Sequence, residues 1–263
     1  MCYFGLCDGM RKLNIPDIEY LDMYEGEFSK FYDSLVSNDN YDFDFLDQIL
    51  NNTKKPILEL ACGSGRVMIP LLEKGYNVSG VDLSDDMLTI LKRKCKKRNF
   101  EIDLFKDDMC SFKTNSKYEY VILSHISICL LEPKEQRKLF VNLSKNILED
   151  GGKFIFNFTE YSGKLYTSGE LKPRYYFNTK NKSFAIFFEK VDLKDNKVYI
   201  NMYMEQNVND KTKKYIGTSC KNIIKRKEIE KYINEAGLLI IDEKKFFISD
   251  SAITYLILEK PPN

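Results

Sequence analysis

The sequence predicts an α/β fold, with an open, mostly parallel sheet of seven strands covered by helices on both faces. Between residues 56 and 160, short apolar runs alternate with helix-like stretches. From about 163 to 222 aromatic segments separated by turn residues replace that alternation, and they read as an antiparallel β insertion after the fifth strand. After 223 a helix and two strands return.

Pro56–Ala61 is a short apolar run ending in a glycine turn, so it reads as a buried strand. Residues 65–74 read as a helix and Asn77–Val81 as the second strand. Ser84 then caps a helix carrying Met87, Leu88 and Leu91 at helical spacing. Glu101–Phe105 and Tyr118–Leu123 supply the third and fourth strands. Pro133 opens a helix whose Leu139, Phe140, Leu143 and Ile147 share one face. Gly151 and Gly152 are expected to stop it before the fifth strand, Lys153–Phe158. Within the insertion, 174–178, 183–191, 197–208 and 213–224 are rich in Tyr, Phe, Ile and Val, with turns at Asp195-Asn196 and Asn209-Asp210. A helix over Lys227–Ala236, stopped by Gly237, precedes strands over 238–247 and 252–259.

Composition narrows the class. The 263 residues suit one large domain, or a domain with an inserted sub-domain. At 43% hydrophobic and 30% charged, the chain is globular rather than fibrous or disordered. A net charge of +1 gives no global pull toward nucleic acid or an anionic membrane. The charge is nevertheless uneven: residues 1–50 carry 11 acidic groups against Arg11, Lys12 and Lys30. Seven cysteines without a C-x-x-C pair, and the single His125, argue against a structural zinc, and no metal is expected. No basic segment leads an apolar run at the N-terminus, and no stretch reaches the roughly 18 apolar residues of a membrane span. A cytoplasmic protein with reduced thiols is the expectation.

The chemistry collects at strand ends. The first strand runs into Glu59-Leu-Ala-Cys-Gly63-Ser-Gly65-Arg66, where two glycines let a ligand lie against bare backbone beside a helix N-terminus. Dinucleotide enzymes use a related G-x-G-x-x-G, but here the third position is Met68, which disfavours a pyrophosphate ligand. Asp82 closes the second strand, 17 residues beyond Gly65, about where a carboxylate would accept both hydroxyls of a ribose. Asp107 and Asp108, in Lys106-Asp-Asp-Met109, put further carboxylates at the same sheet edge.

ILELACGSGR (57–66), GVDLS (80–84), KDDM (106–109) and the paired glycines before the fifth strand resemble class I S-adenosylmethionine-dependent methyltransferases, whose fold is Rossmann-like. The resemblance covers residues 20–160 well and 223–259 more loosely. It is greatest to the small-molecule branch with glycine/sarcosine-type and aminosugar N-methyltransferases, which also carry an antiparallel insertion after the fifth strand. It implies S-adenosylmethionine as cofactor, S-adenosylhomocysteine as product, and a small-molecule methyl acceptor, most simply an amine; O- or S-methylation stays open. By position, Gly63 and Gly65 would pack on the methionine and ribose portions, Glu59 would orient the glycine loop and the amino end, and Asp82 would bind the ribose. Ala61, Ser64, Arg66, Leu83, Met87 and Ser124 fall in the same cofactor-binding motifs. Asp108 would take the adenine amino group beside Met109. Related chains have Gly where this one has Asp107, so which aspartate faces the base stays open.

His125 follows the fourth strand where this family's chain passes the transferred methyl, and an imidazole near pKa ~6.5 suits removal of a proton from an amine or hydroxyl. A histidine that only shapes the pocket is the alternative. Tyr24 and Tyr32 match an aromatic segment that covers the cofactor in this branch; ordinary amphipathic packing is the other reading. The resemblance therefore divides the chain into a helical cover with the cofactor core (1–162), the insertion (163–222) and the closing helix and strands (223–263). The insertion is expected to roof the acceptor pocket, with a homodimer contact as a second role. The run Lys92–Arg98 holds six cations in seven residues. It reads either as a nucleic-acid contact or as the solvated end of a helix, and the helix end is preferred. A non-catalytic cofactor-binding protein ranks below an enzyme, because nothing in these motifs is degenerate.

Overall fold

The computed structural model describes residues 3–36, 39–159, 169–170, 172–179, 182–248 and 251–262. Two compact units account for the chain: Met1–Tyr32 with Ser162–Ile223, and Asp33–Tyr161 with Ile224–Asn263.

The larger unit is built on a seven-stranded sheet. Its elements are α3 (Phe43–Leu50), β2 (Ile57–Leu60), α4 (Met68–Glu73), β3 (Val78–Asp82), α5 (Asp85–Lys97), β4 (Leu104–Lys106), β5 (Tyr118–Leu123), α6 (Pro133–Asn142), β6 (Leu148–Thr159), α7 (Arg226–Glu235), β12 (Leu239–Ile248) and β13 (Ser251–Glu259). The strand order is β12-β13-β6-β5-β2-β3-β4. Strands β2 to β6 pair in parallel, and β13 runs antiparallel to both β6 and β12.

Alternation along each strand feeds two cores. Leu58, Leu60, Val121, Leu123, Phe154 and Phe156 pack with Leu139 and Phe140 of α6 and Ile229 and Ile233 of α7. Ile57, Tyr120, Ile122, Ile155 and Tyr255 pack with Leu46 and Leu50 of α3, Met68 and Leu71 of α4, and Leu88 and Leu91 of α5. Helices thus cover both faces, as the sequence predicts. The expected Ser84 cap is present, its Oγ accepting from the Met87 N–H at 3.2 Å, and Pro133 opens α6 as expected, inside a capping box of Glu132 and Glu135 that the sequence reading did not foresee.

Gly151 and Gly152 do something other than stop a helix. Strand β6 already begins at Leu148, and both glycines lie within it. Its register against β5 shifts between Tyr118 and Tyr120. There Gly151 sits at φ +76, and a Cβ on Gly152 would come within 3.0 Å of the Tyr118 carbonyl and closer still to that of Glu149. At this bulge Gly151 supplies the left-handed backbone and Gly152 the room for a close backbone approach.

The smaller unit contains α1 (Gly5–Lys12), β1 (Ile18–Asp22), most of α2 (Gly26–Val36), β7 (Gly169–Glu170), β8 (Arg174–Asn178), β9 (Ser183–Asp192), β10 (Lys197–Val208) and β11 (Lys211–Asn222). Strands β9, β10 and β11 form the expected meander. The sequence-based division placed residues 1–162 together, whereas the structure groups 1–32 with the insertion. The cause is β1, which pairs in parallel with β11 from Ile18↔Lys214 to Asp22↔Thr218. Cys7 of α1 packs with Tyr203 and Ile216 on the same sheet, and Phe28 of α2 lies edge-on to Tyr215. Tyr166, one of the aromatic residues expected in the insertion, lies outside the described residues.

Candidate active site

Parallel register brings the motif-bearing strand ends to one edge of the larger sheet. Leu60 pairs with Val81, Asp82 with Lys106, and Glu59 with Ile122. Ligands in open α/β sheets bind outside such carboxyl ends.

The glycine turn is shaped by its backbone. Ala61, Gly63 and Gly65 all have left-handed φ values, +49, +53 and +88. A Cβ on Gly65 would stand 2.5 Å from Leu91 Cδ1, so glycine is needed there for conformation and for contact with α5. Asp82 ties the turn to the second strand: Oδ2 accepts the Gly63 N–H at 2.7 Å, and Oδ1 accepts the Ser84 N–H at 2.8 Å. Burial raises the Asp82 pKa, and those two donors oppose the rise. The Leu83 N–H is a third donor to this carboxylate, so about one of its four lone-pair sites is left for a hydroxyl-bearing ligand, on an acceptor already fixed in place. Leu83 beside it is 71% exposed, an apolar platform at the rim. Met87 and Ser64 are buried, and the Ser64 carbonyl accepts from Lys94 at 3.0 Å.

Glu59 is 2% exposed and its Oε2 has no hydrogen-bond partner. Burial pushes its carboxyl up to about 8, with the Arg66 cation opposing and Asp42 and Asp82 adding to the rise. An unsatisfied buried carboxyl oxygen is a costly feature, and it marks a place for a polar or cationic group. Glu59, the glycine turn and the anchored Asp82 thus gather polar groups at one edge of the sheet.

At the end of β4, Asp107 is exposed and Asp108 half-buried. The Asp108 carboxylate accepts the Cys110 N–H at 2.9 Å and so caps its own turn, while Asp107 Oδ1 accepts the Asp108 N–H at 2.7 Å. Met109 packs against the first core.

Arg66 departs from its expected setting. Its Nη1 donates to Asp42 Oδ1 at 2.7 Å and the Asp39 carbonyl at 2.9 Å, and its Nη2 to Asp42 Oδ2 at 2.9 Å and Ser124 Oγ at 3.1 Å. These contacts use the four hydrogens on its terminal nitrogens. The guanidinium side chain therefore serves the turn after β5, and a cofactor contact from Arg66 falls to its backbone. That turn carries Ser124 and His125. His125 and Ile126 have φ values of +55 and +61, a strained pair costing about 1–2 kcal/mol each for residues with a Cβ. The Ile126 N–H is held by Asn157 Oδ1 at 2.8 Å.

Asp42, Asn157 and Tyr255 were not among the residues expected from the sequence. Asn157 had a legible signal, as the polar residue inside the apolar run Phe154–Phe158. Within the cation run Lys94 pairs with Asp33, and Arg98 with Glu73 at 3.0 Å. Two of its six charges are thus used within the unit, at the C-terminal end of α5. Tyr24 and Tyr32 lie edge to face at 5.3 Å within the smaller unit. Among the described residues no His, Cys, Asp and Glu cluster is arranged for a metal, and no helix is long and apolar enough to cross a membrane.

Residues 57–152 match the family described as "Methyltransferase domain". A putative methyltransferase of Geobacillus sp. (strain WCH70) is 31% identical over 131 residues, 47% of this chain and 53% of that protein. The chain thus spans about half the length of that curated relative. Among solved structures, an S-adenosylmethionine-dependent methyltransferase from Clostridium acetobutylicum superimposes with a TM-score of 0.75 at 22% identity, over 89% of this chain and 98% of the other. An amino pentose methyltransferase from Micromonospora echinaspora, with S-adenosylmethionine bound, gives 0.63 at 12% identity, over 99% and 98%. The motif order, the family match over the glycine turn and both aspartate strand ends, and the shared sheet agree. Residues 57–152 are similar to the methyltransferase domain family, and the chain shares the Rossmann-like fold of S-adenosylmethionine-dependent methyltransferases of known structure.

Proposed function

We propose that this chain transfers a methyl group from S-adenosylmethionine to the nitrogen of a small amine. The observation that carries the cofactor half is the Gly63–Asp82 clamp beside the unsatisfied Glu59 oxygen. S-adenosylmethionine, when bound, supplies a methyl made electrophilic by its sulfonium. Glu59 and the glycine turn would hold the amino acid end, Asp82 the ribose hydroxyls, and Leu83, Asp108 and Met109 the base.

The chain's remaining task is to deliver a deprotonated acceptor in line. An amine enters as an ammonium at neutral pH and must lose a proton before its lone pair can attack. His125, half-buried after β5, would take that proton on its imidazole and pass it to water. The first 50 residues are rich in acidic groups, and those not paired internally, as Asp33, Asp42 and Asp47 are, would favour cationic molecules over carboxylates or phosphate-rich polymers were the segment to close over the pocket. The aminosugar substrate named for the Micromonospora relative supports the same class.

Calorimetry should detect binding of S-adenosylhomocysteine, and Asp82→Ala should weaken it by about 1.5–3 kcal/mol, the scale of hydrogen bonds to a charged group. No binding to the wild type would end the cofactor assignment. Matched amine, phenol and thiol panels, followed by S-adenosylhomocysteine release, test the acceptor. With the true acceptor, His125→Ala should slow turnover by about 10²–10⁴ if the imidazole is the base. Preference for a phenol or thiol would move the reading to O- or S-methylation.

A further inference from the structure

Asp42 and Arg66 form a bidentate ion pair whose side chains are 1% and 8% exposed. The Tyr255 hydroxyl also donates to Asp42, and the guanidinium lies 5.5 Å over the Tyr41 ring. A buried pair of this kind adds little stability over packed apolar side chains of the same volume, because both ions lose their water. Its evident product is position, and the Arg66 fork reaches one thing beyond its own partner segment: the turn after β5. Nη2 donates to Ser124 Oγ at 3.1 Å, and the Ser124 carbonyl accepts the Ser127 N–H and hydroxyl at 3.1 and 2.8 Å. From the other side Asn157 fixes the Ile126 N–H and reaches the Tyr41 hydroxyl at 3.5 Å. His125 lies between these two anchors, in a left-handed conformation that its own sequence disfavours.

We propose that Asp42 and Arg66 are positioning residues for His125: the buried pair, working through Ser124 and opposed by Asn157, holds the imidazole in the one orientation from which it serves the acceptor. The histidine's task rests on the function proposed above; the holding device does not. The guanidinium hydrogens are taken up by Asp39, Asp42 and Ser124, so the pair acts through the turn, and the Arg66 planar fork cannot be replaced by a lysine point charge.

His125 is the only histidine in the sequence, so its ring gives a single Hε1 resonance without any need for the acceptor. The test compares that resonance in wild type, Asp42→Asn and Arg66→Lys, with a thermal melt of each. Both variants should displace the signal beyond its line width or split it in two. Asp47→Asn removes a different pair on α3, with Lys74 at 2.5 Å and the Tyr76 hydroxyl at 2.8 Å, and should leave the resonance in place even if the melt falls. Should either pair variant fail to fold, Ser124→Ala, which removes only the last link, should still shift the signal in a folded protein. An unmoved resonance in folded Asp42→Asn and Arg66→Lys, or in Ser124→Ala, overturns the proposal, as does an equal shift in Asp47→Asn. Wild-type protein that binds no S-adenosylhomocysteine would remove the functional reading while leaving this comparison intact.

Discussion

Gly65 and Gly217 are both buried glycines, one in each unit, and they are glycine for different reasons. Gly65 sits at φ +88 in a turn of the larger unit and packs on side chains of the two helices that follow, with Leu91 at 2.5 Å and Ile69 at 3.1 Å from a built Cβ. Gly217 lies within β11 of the smaller unit, where a Cβ would meet the Phe28 ring at 2.9 Å. The first glycine answers to its own neighbourhood, the second to an element from the far end of the sequence. That difference extends to the whole units. In the larger one each candidate cofactor residue falls at, or a few positions beyond, a strand end, so local sequence places the chemistry. In the smaller one long-range pairing does the placing.

The sharpest way to break the comparison is a matched pair of valines. Gly65→Val adds a left-handed φ penalty to an overpacked contact, so stability should fall by about 2–5 kcal/mol in denaturant unfolding, with S-adenosylhomocysteine binding lost. Gly217→Val should cost about 1–3 kcal/mol from overpacking alone and leave that binding within about twofold. Equal loss of binding in both variants would mean that the units do not divide the work this way.

A smaller effect is expected from Glu59. Because burial pushes its carboxyl up to about 8, the folded chain keeps a proton that the unfolded chain releases in the ordinary carboxylate range. Stability contributed by that proton is complete below the unfolded pKa and is lost as pH rises toward about 8. Glu59→Gln removes the titration, so melting temperatures measured from about pH 5 to about pH 8 should move in the variant's favour. Parallel pH curves for the two proteins would argue against a neutral Glu59. Smallest of all, Arg98→Ala breaks an exposed pair with Glu73 and should change stability by less than about 0.5 kcal/mol.

The sheet was readable from sequence because its strands and helices obey local periods, and Ser84 and Pro133 mark helix starts by chemistry that acts within one turn. The sheet edge that gathers the candidate residues was readable for the same reason. The Asp42–Arg66–Tyr255 cluster was not: Tyr255 meets Asp42 across 213 positions, and no local pattern ties a tyrosine on the last strand to an aspartate before the first strand of that sheet. Gly151 and Gly152 misled because paired glycines end helices and also make strand bulges, and only the register against Tyr118 separates the two. The attachment of residues 1–32 to the insertion was invisible because parallel pairing of β1 leaves no turn signature.

That parallel pairing sets a timetable for the newborn chain. Ile18 must wait for Lys214 before its strand has a neighbour. At the roughly 5–20 residues per second of synthesis, the delay is on the order of 10–40 s. Throughout it the first strand, with the apolar residues around it, emerges from the ribosome before its partner exists. The larger sheet can by then assemble β2 to β6 from contiguous sequence. Folding of the smaller unit should thus trail translation, and a nascent chain halted before residue 211 should leave its first 30 residues open to a holdase or a protease.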